Sequence, residues 1–166
     1  MKDNINTNKA KKVLTLCVVH NDVHILLGMK KRGFGEGKWS GFGGKVLEGE
    51  TAEEGAVREL KEKSGITALS LEKKGVLHFI FEENPEALEV HIFAVFEYEG
   101  EHEETEEMIP QWFIHNEIPF DEMWEDGKYW LPVLLDGKSF YGKFYFLNDG
   151  GLFDFELNEV ENFNDA

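Results

Sequence analysis

Residues 44–66 read GKVLEGETAEEGAVRELKEKSGI, and this stretch decides the fold. Thr51 followed three residues later by Glu54 is a capping box, so a helix is expected to start at Ala52. Glu53 and Glu54 fall in its first turn, where negative charge suits the helix dipole. Gly65 is placed to end it as a left-handed cap. On such a helix Ala52, Ala56, Val57, Leu60 and Ser64 form one small or apolar face. Glu59, Glu62 and Lys63 are three and four residues apart and share another.

Just before the helix, residues 41–44 run Gly-Phe-Gly-Gly. A glycine-rich loop lets backbone approach a ligand closely and can offer a carbonyl to a cation. Paired carboxylates with a backbone carbonyl suit Mg²⁺, which prefers oxygen ligands and substrate phosphates. Taken alone, the charged face also fits a solvated helix surface. Glu59 and Lys63 would then be an i,i+4 ion pair worth about 0.3–0.5 kcal/mol.

The chain has 166 residues, the size of one domain. Its apolar content is 42%, with 14 Phe and 4 Trp, enough for a substantial core. No apolar run is long enough to span a bilayer. The first dozen residues, MKDNINTNKAKK, lack the apolar centre of a signal peptide and read as a polar, mobile leader. The last six, 161–166, read as a polar tail, leaving 13–160 as a single domain. Cys17 stands alone in an apolar alternating run, so it is expected as a buried small hydrophobe in a reducing compartment. The cytoplasm is the expected location, with nucleus and mitochondrion as further compartments.

A net charge of −16 argues against binding nucleic-acid polymers or anionic membranes. A small anionic substrate would be repelled too, unless a divalent cation bridges it. The acidic run at 99–107 reads as a solvated loop, with one carboxylate expected to point into a site. The six histidines show no zinc-ligand spacing with Cys partners, and no nucleophile-elbow or Walker pattern is present.

Alternating segments at 13–19 and 23–29 are expected as strands around a turn at 20–22, with 33–39 as a loop. Strands at 76–81 and 90–98 are expected to form a hairpin joined by 82–89, and 112–115 a short strand. Residues 119–124 suggest a helical turn and 129–135 a second helix or short segment. A final hairpin, 140–146 with 152–157, turns at Asn148-Asp-Gly-Gly151. Strands outnumber and interleave with helices, which gives class α+β: a mixed β-sheet sandwiched between helices, α/β/α in layers.

The 44–66 stretch resembles the Nudix box, G-x5-E-x7-R-E-U-x-E-E-x-G-U with U apolar. Gly44, Glu50, Arg58, Glu59, Leu60, Glu62, Gly65 and Ile66 match, and Lys63 stands where the motif has its last Glu. The resemblance extends through RGFGEGKWSGFGGKVLEGET, the Phe79/Phe81 strand, EEMIPQWF and FDEMWEDGKYWLPVLL. These segments are similar to the MutT-homologue branch of the Nudix hydrolases, the animal-type oxidised-purine nucleoside triphosphatases. The similarity runs from about Val13 to Val160.

It implies the Nudix fold and hydrolysis of oxidised purine nucleoside triphosphates, such as 8-oxo-dGTP or 2-hydroxy-dATP, to monophosphate and pyrophosphate. Water would attack phosphorus with Mg²⁺, or Mn²⁺ in its stead, neutralising the phosphates. That activity would sanitise the nucleotide pool and avoid DNA damage. Carried over position by position, the metal group would be the Gly43 carbonyl, Glu59, Glu62 and Glu107. Arg58 would hold Glu50 or a helix carboxylate in place. Lys63 would sit among the catalytic residues. The substrate pocket would use Thr15, Lys30, Phe34, Ser40, Phe79, Met108, Trp124 and Asp126, in a monomer.

Three departures from that branch stand out. Ser40 replaces an Asn, Gly127 replaces the second of two adjacent Asp residues, and Lys63 replaces the box Glu. The first two remove groups that would read the purine edge. Two other readings stay open: a degenerate Nudix domain that binds nucleotide with little turnover, and a Nudix hydrolase for another nucleoside diphosphate derivative.

Overall fold

The computed structural model of the chain describes residues 10–161. The strands are β1 (Ala10–His20), β2 (His24–Lys30), β3 (Trp39–Ser40), β4 (Phe42–Lys45), β5 (Thr67–Ala68), β6 (Glu72–Phe81), β7 (Glu86–Val95), β8 (Tyr98–Glu99), β9 (Met108–Ile114), β10 (Ser139–Phe146) and β11 (Leu152–Val160). The helices are α1 (Ala52–Ser64) and α2 (Gly127–Leu135), with short 3₁₀ turns at His115–Glu117 and Phe120–Glu122.

Among the described residues, nine strands join one mixed sheet in the order β11-β10-β6-β7-β1-β2-β3, with β4 also on β1 and β9 also on β2. β1 runs parallel to β7, and β10 parallel to β6, while the remaining pairs are antiparallel. β5 and β8 form a separate two-stranded ribbon.

Helix α1 starts and stops where the sequence indicates. Thr51 Oγ1 accepts from the Glu54 N–H at 3.1 Å, and the Glu54 side chain accepts from the Thr51 N–H at 2.9 Å. Gly65 closes the helix at φ 83°, a conformation that costs a residue without Cβ nothing.

Strand alternation sends neighbouring residues of β1 to opposite faces. Cys17 and Val19 pack with Phe93, Val95 and, from α1, Ala56 and Leu60. Val18 packs with Leu77, Val90, Ile92, Phe140, Phe144 and, from α2, Trp130, Leu131 and Leu134. The helices therefore cover opposite faces of the sheet, the expected α/β/α layering. Cys17 is fully buried and its thiol is pushed up to about 12 by burial, as befits a small hydrophobe.

Element bounds differ from the sequence expectation, most for β1, β6, β7 and β9, of which β6 begins at Glu72 rather than residue 76. β1 begins at Ala10, inside the stretch read as leader, because residues 10–12 extend the parallel ladder with β7. Residues 1–9 and 162–166, which hold the rest of the leader and nearly all the tail, lie outside the described residues. β7 spans Glu86–Val95 rather than 90–98, so the hairpin loop with β6 is shorter. β9 starts at Met108, not residue 112, and carries Pro110. A proline is tolerated there because β9 pairs only with β2 and so lies at an edge. α2 forms despite Pro132, whose missing N–H removes one internal bond.

Candidate active site

A cleft of about 590 Å³ opens along the sheet between the loop at 33–38, the start of α1's charged face and α2. Apart from Arg58 and Met108, every site residue expected from sequence lines it. Met108 lines an adjoining hollow of about 140 Å³, together with Lys30, Ser40 and Lys63.

One end is aromatic. Phe79, Phe81, Phe146, Trp39 and Trp124 form its walls. The register of β6 with β10, Phe79 opposite Phe144 and Phe81 opposite Phe146, stacks these rings on one face of the sheet. Trp124 is overlaid by Phe34, with ring centroids 5.1 Å apart and planes 18° apart, and the Lys38 ammonium lies 5.1 Å from the indole centroid. Phe34 itself is 66% exposed, so the ring pair rims the opening.

Asp126 lies at the depth of this end, 7% exposed. It occupies the N-cap position of α2 but makes no capping bond. Its Oδ2 instead accepts from Trp130 Nε1 at 2.7 Å. Burial raises its pKa to about 6, against the opposing pull of the Trp130 bond. The carboxyl can thus present either an acid O–H or a carboxylate near neutral pH.

Ser40 borders the cleft with its hydroxyl donating to the Gly41 carbonyl at 2.9 Å. Its oxygen lone pairs are what remain for a ligand. Thr15 shares the α1-facing side of β1 with Cys17, the reverse of the wall formed by Leu14, Leu16 and Val18. Its Oγ1 is buried and has no hydrogen-bond partner among the described residues.

The other end is ionic and built on α1, β4 and the segment before β9. Arg58 is the organiser. It grips Glu50 through Nε at 2.7 Å and Nη2 at 3.0 Å. It also reaches Glu59 at 2.8 Å, Glu62 at 3.2 Å and the Lys45 carbonyl at 3.0 Å. That fork holds the Glu50 carboxyl near pKa 2, helped by the Leu47 N–H. Arg58 was expected to hold Glu50 or a helix carboxylate; it touches Glu50 and two helix carboxylates, and it is not among the residues that line the cleft.

Lys63 carries the most informative geometry. Its ammonium donates to the Gly43 carbonyl and lies 3.3 Å from Glu59 Oε2 and 3.6 Å from Glu107 Oε2. Those are the oxygens assigned from sequence to a metal. Lys30 lines the same cleft, its pKa lowered first by burial and then by the charge of Lys63.

The donor chemistry, carboxylates and a carbonyl, is that of a hard divalent cation. Yet among the described residues no three acidic, His or Cys side chains are grouped to hold a metal unaided. The donors fit a divalent ion only in a shared form. Glu62 and the outward oxygen of Glu107 would be completed by phosphate oxygens and waters, while both oxygens of Glu59 are engaged, by Arg58 and Lys63, and the position inside Gly43, Glu59 and Glu107 is filled by Lys63.

Several lining residues escape a sequence reading: Phe146, Phe81, Trp39, Lys38 and Trp130. The alternation of 140–146 faces Phe144 and Phe146 the same way, which was the available signal for the first. Trp130 lies one helical turn after Asp126, a spacing at which side chains meet.

Comparison with known proteins places these features in context. Residues 10–134 match the NUDIX domain family model. The chain is 48% identical over 152 residues to an oxidized purine nucleoside triphosphate hydrolase of Mus musculus, covering 92% of this chain and 97% of that protein. It is 50% identical over 150 residues to the protein of the same description from Danio rerio, covering 90% and 96%. Among solved structures, a mutator MutT protein from Bacillus halodurans superposes with a TM-score of 0.80 at 27% identity, covering 89% of this chain and 97% of the other.

Proposed function

This chain belongs to the NUDIX family, and on that premise we propose that it hydrolyses oxidised purine nucleoside triphosphates to monophosphate and pyrophosphate. The observation that carries the reading is one continuous cleft with an aromatic slot at one end and an array of carboxylates and lysines at the other. A purine stacks on Trp124 and Phe79, and Asp126 meets its polar edge. Stacking of this kind contributes about 1–3 kcal/mol per base. The triphosphate runs toward Lys30, Lys63 and α1. Identity of 48% and 50% over at least 90% of this chain to the mouse and zebrafish hydrolases supports the same substrate class.

Hydrolysis requires water to attack phosphorus in line with the leaving group, and the developing charge must be met in place. Lys30 and Lys63 supply fixed positive charge to the phosphates. Arg58 keeps Glu59 and Glu62 oriented rather than touching substrate itself. Glu62 and Glu107 are the accessible carboxylates that accept the proton shed by the water. Mg²⁺, or Mn²⁺, held by Glu62 and the outward oxygen of Glu107, would supply further charge neutralisation and a more acidic bound water. The reaction lies in nucleotide-pool sanitation, in the cytoplasm, by a monomer. No described helix is long and apolar enough to cross a membrane.

A second reading, a nucleotide-binding domain with little turnover, is favoured by the presence of Lys63 inside the carboxylate group. One assay separates them. Incubation with Mg²⁺ and a panel of 8-oxo-dGTP, 2-hydroxy-dATP and unmodified nucleotides should yield monophosphate and pyrophosphate, fastest from an oxidised purine. Orthophosphate as first product refutes the hydrolase reading, and tight binding without turnover selects the second.

A further inference from the structure

We infer that the Lys63 ammonium is the resident cation of this site, a tethered positive charge standing where the Gly43 carbonyl, Glu59 and Glu107 would otherwise enclose a divalent ion. Its consequence for catalysis rests on the phosphohydrolase reading above; its consequence for metal binding does not.

An ordinary i,i+4 pair explains the contact to Glu59 at 3.3 Å and nothing more. The other two partners come from elsewhere in the chain: the Gly43 carbonyl from β4, and Glu107, at 3.6 Å, from the segment entering β9. An ammonium has three N–H donors and no acceptor; one bonds the Gly43 carbonyl, and the carboxylates of Glu59 and Glu107 stand around it at ion-pair distance. The side chain is only 13% exposed, and that of Glu59 only 11%, so this is no loose surface pair.

The enclosure is built before any ligand arrives. β4 is fixed by its ladder to β1, with Leu16 opposite Gly43 and Thr15 opposite Gly44. A Cβ on Gly44 would lie 2.5 Å from the Glu59 carboxylate, so the backbone is pressed against that side chain. The acidic segment is tied to the end of α1: the Glu103 N–H donates to Ser64 O at 2.9 Å, and Thr105 Oγ1 donates to Lys63 O at 3.2 Å. The Lys31 N–H then donates to Glu107 O at 2.8 Å. Oxygens held this firmly suit a compact cation, and the one they hold is covalently part of the chain. A divalent ion entering here must displace the lysine; one arriving with nucleotide finds only the outer carboxylate oxygens.

The test is Mn²⁺ binding to the nucleotide-free protein, followed by loss of the free-ion electron paramagnetic resonance signal. Lys63→Glu should gain at least one Mn²⁺ bound about tenfold or more tighter than any in the wild type, the lower end of what a disturbed ligand set costs a metal site. Equal number and affinity in the two proteins overturns the inference. Lys63→Met covers the case in which the charge reversal does not fold. Without its cation, this variant should melt lower than wild type in chelator and recover on adding Mn²⁺, while the wild-type Tm stays put. A Tm of Lys63→Met that responds to Mn²⁺ no more than wild type also overturns it. Absence of hydrolysis in every variant, with the Mn²⁺ difference intact, would count against the proposed reaction and leave this inference standing.

Discussion

Replacing Asp126 by asparagine should stabilise the protein at neutral pH and make that gain vanish in acid. The carboxyl is buried at the foot of the aromatic slot, and its pKa is raised from an ordinary 3.8 to about 6. Below about pH 4 it is protonated in folded and unfolded chains alike and contributes no difference. Between about pH 4 and 6 the unfolded chain releases the proton while the folded one still holds it, so stability falls as pH rises. Above about pH 6 the whole cost is present. A rise of this size corresponds to about 3 kcal/mol, at 1.36 kcal/mol per unit. Asparagine cannot ionise, yet its carbonyl can still accept from Trp130 Nε1. The pull of the Trp130 N–H on the ionised carboxyl is already contained in that net rise. Asp126→Asn should therefore be about 3 kcal/mol more stable than wild type at pH 7.5, and only about 1 kcal/mol more stable at pH 4.5. Urea unfolding of both proteins from pH 4.5 to 8 measures the difference directly, and titrations shared by the two cancel. Stability differences that stay constant across that range would refute the reasoning, because the carboxyl would then titrate as in the unfolded chain. The same substitution should change base preference more than phosphate affinity, since Asp126 lies at the aromatic end of the cleft.

Trp124→Ala should weaken nucleotide binding by about 1–3 kcal/mol, read as a raised KM or as a weaker Kd for a non-hydrolysable analogue, with unchanged binding counting against a stacking role. Ser40→Asn should sharpen the preference for one oxidised purine, because a longer two-headed amide replaces a hydroxyl already committed to the Gly41 carbonyl. Comparison of kcat/KM across the nucleotide panel decides it.

Local signals were strong where a few neighbouring residues suffice to set the geometry. The capping box, the Gly65 cap and the turn at 148–151 are short-range features, and α1 and the last hairpin fall where those residues put them. β7 was misjudged at its start because EALE has little intrinsic strand character. It is extended there by partners, Leu88 against Phe79 on one side and Ala10–Val13 on the other. The same limit applies to the site. That Lys63 meets Glu59 follows from helix spacing. That it also meets Gly43 and Glu107 follows from how β4 and the 103–107 segment are tied down, which no local pattern encodes. The stacking of Phe34 on Trp124 joins residues 90 positions apart and was equally invisible.

The ladder between β1 and β4 acts as a ruler. Leu16 forms part of the apolar wall, and directly opposite it sits Gly43, whose carbonyl meets the Lys63 ammonium. A Cβ on Gly43 would lie 1.8 Å from Thr15 O, so these strands lie in a contact too close for any larger residue. The separation of the Leu16 wall from the Gly43 carbonyl is therefore set by strand pairing, with neighbouring strands about 4.8 Å apart, and not by an adjustable loop. For a nucleotide bound as proposed, that gauge holds one side of the path from base to phosphate at a fixed width.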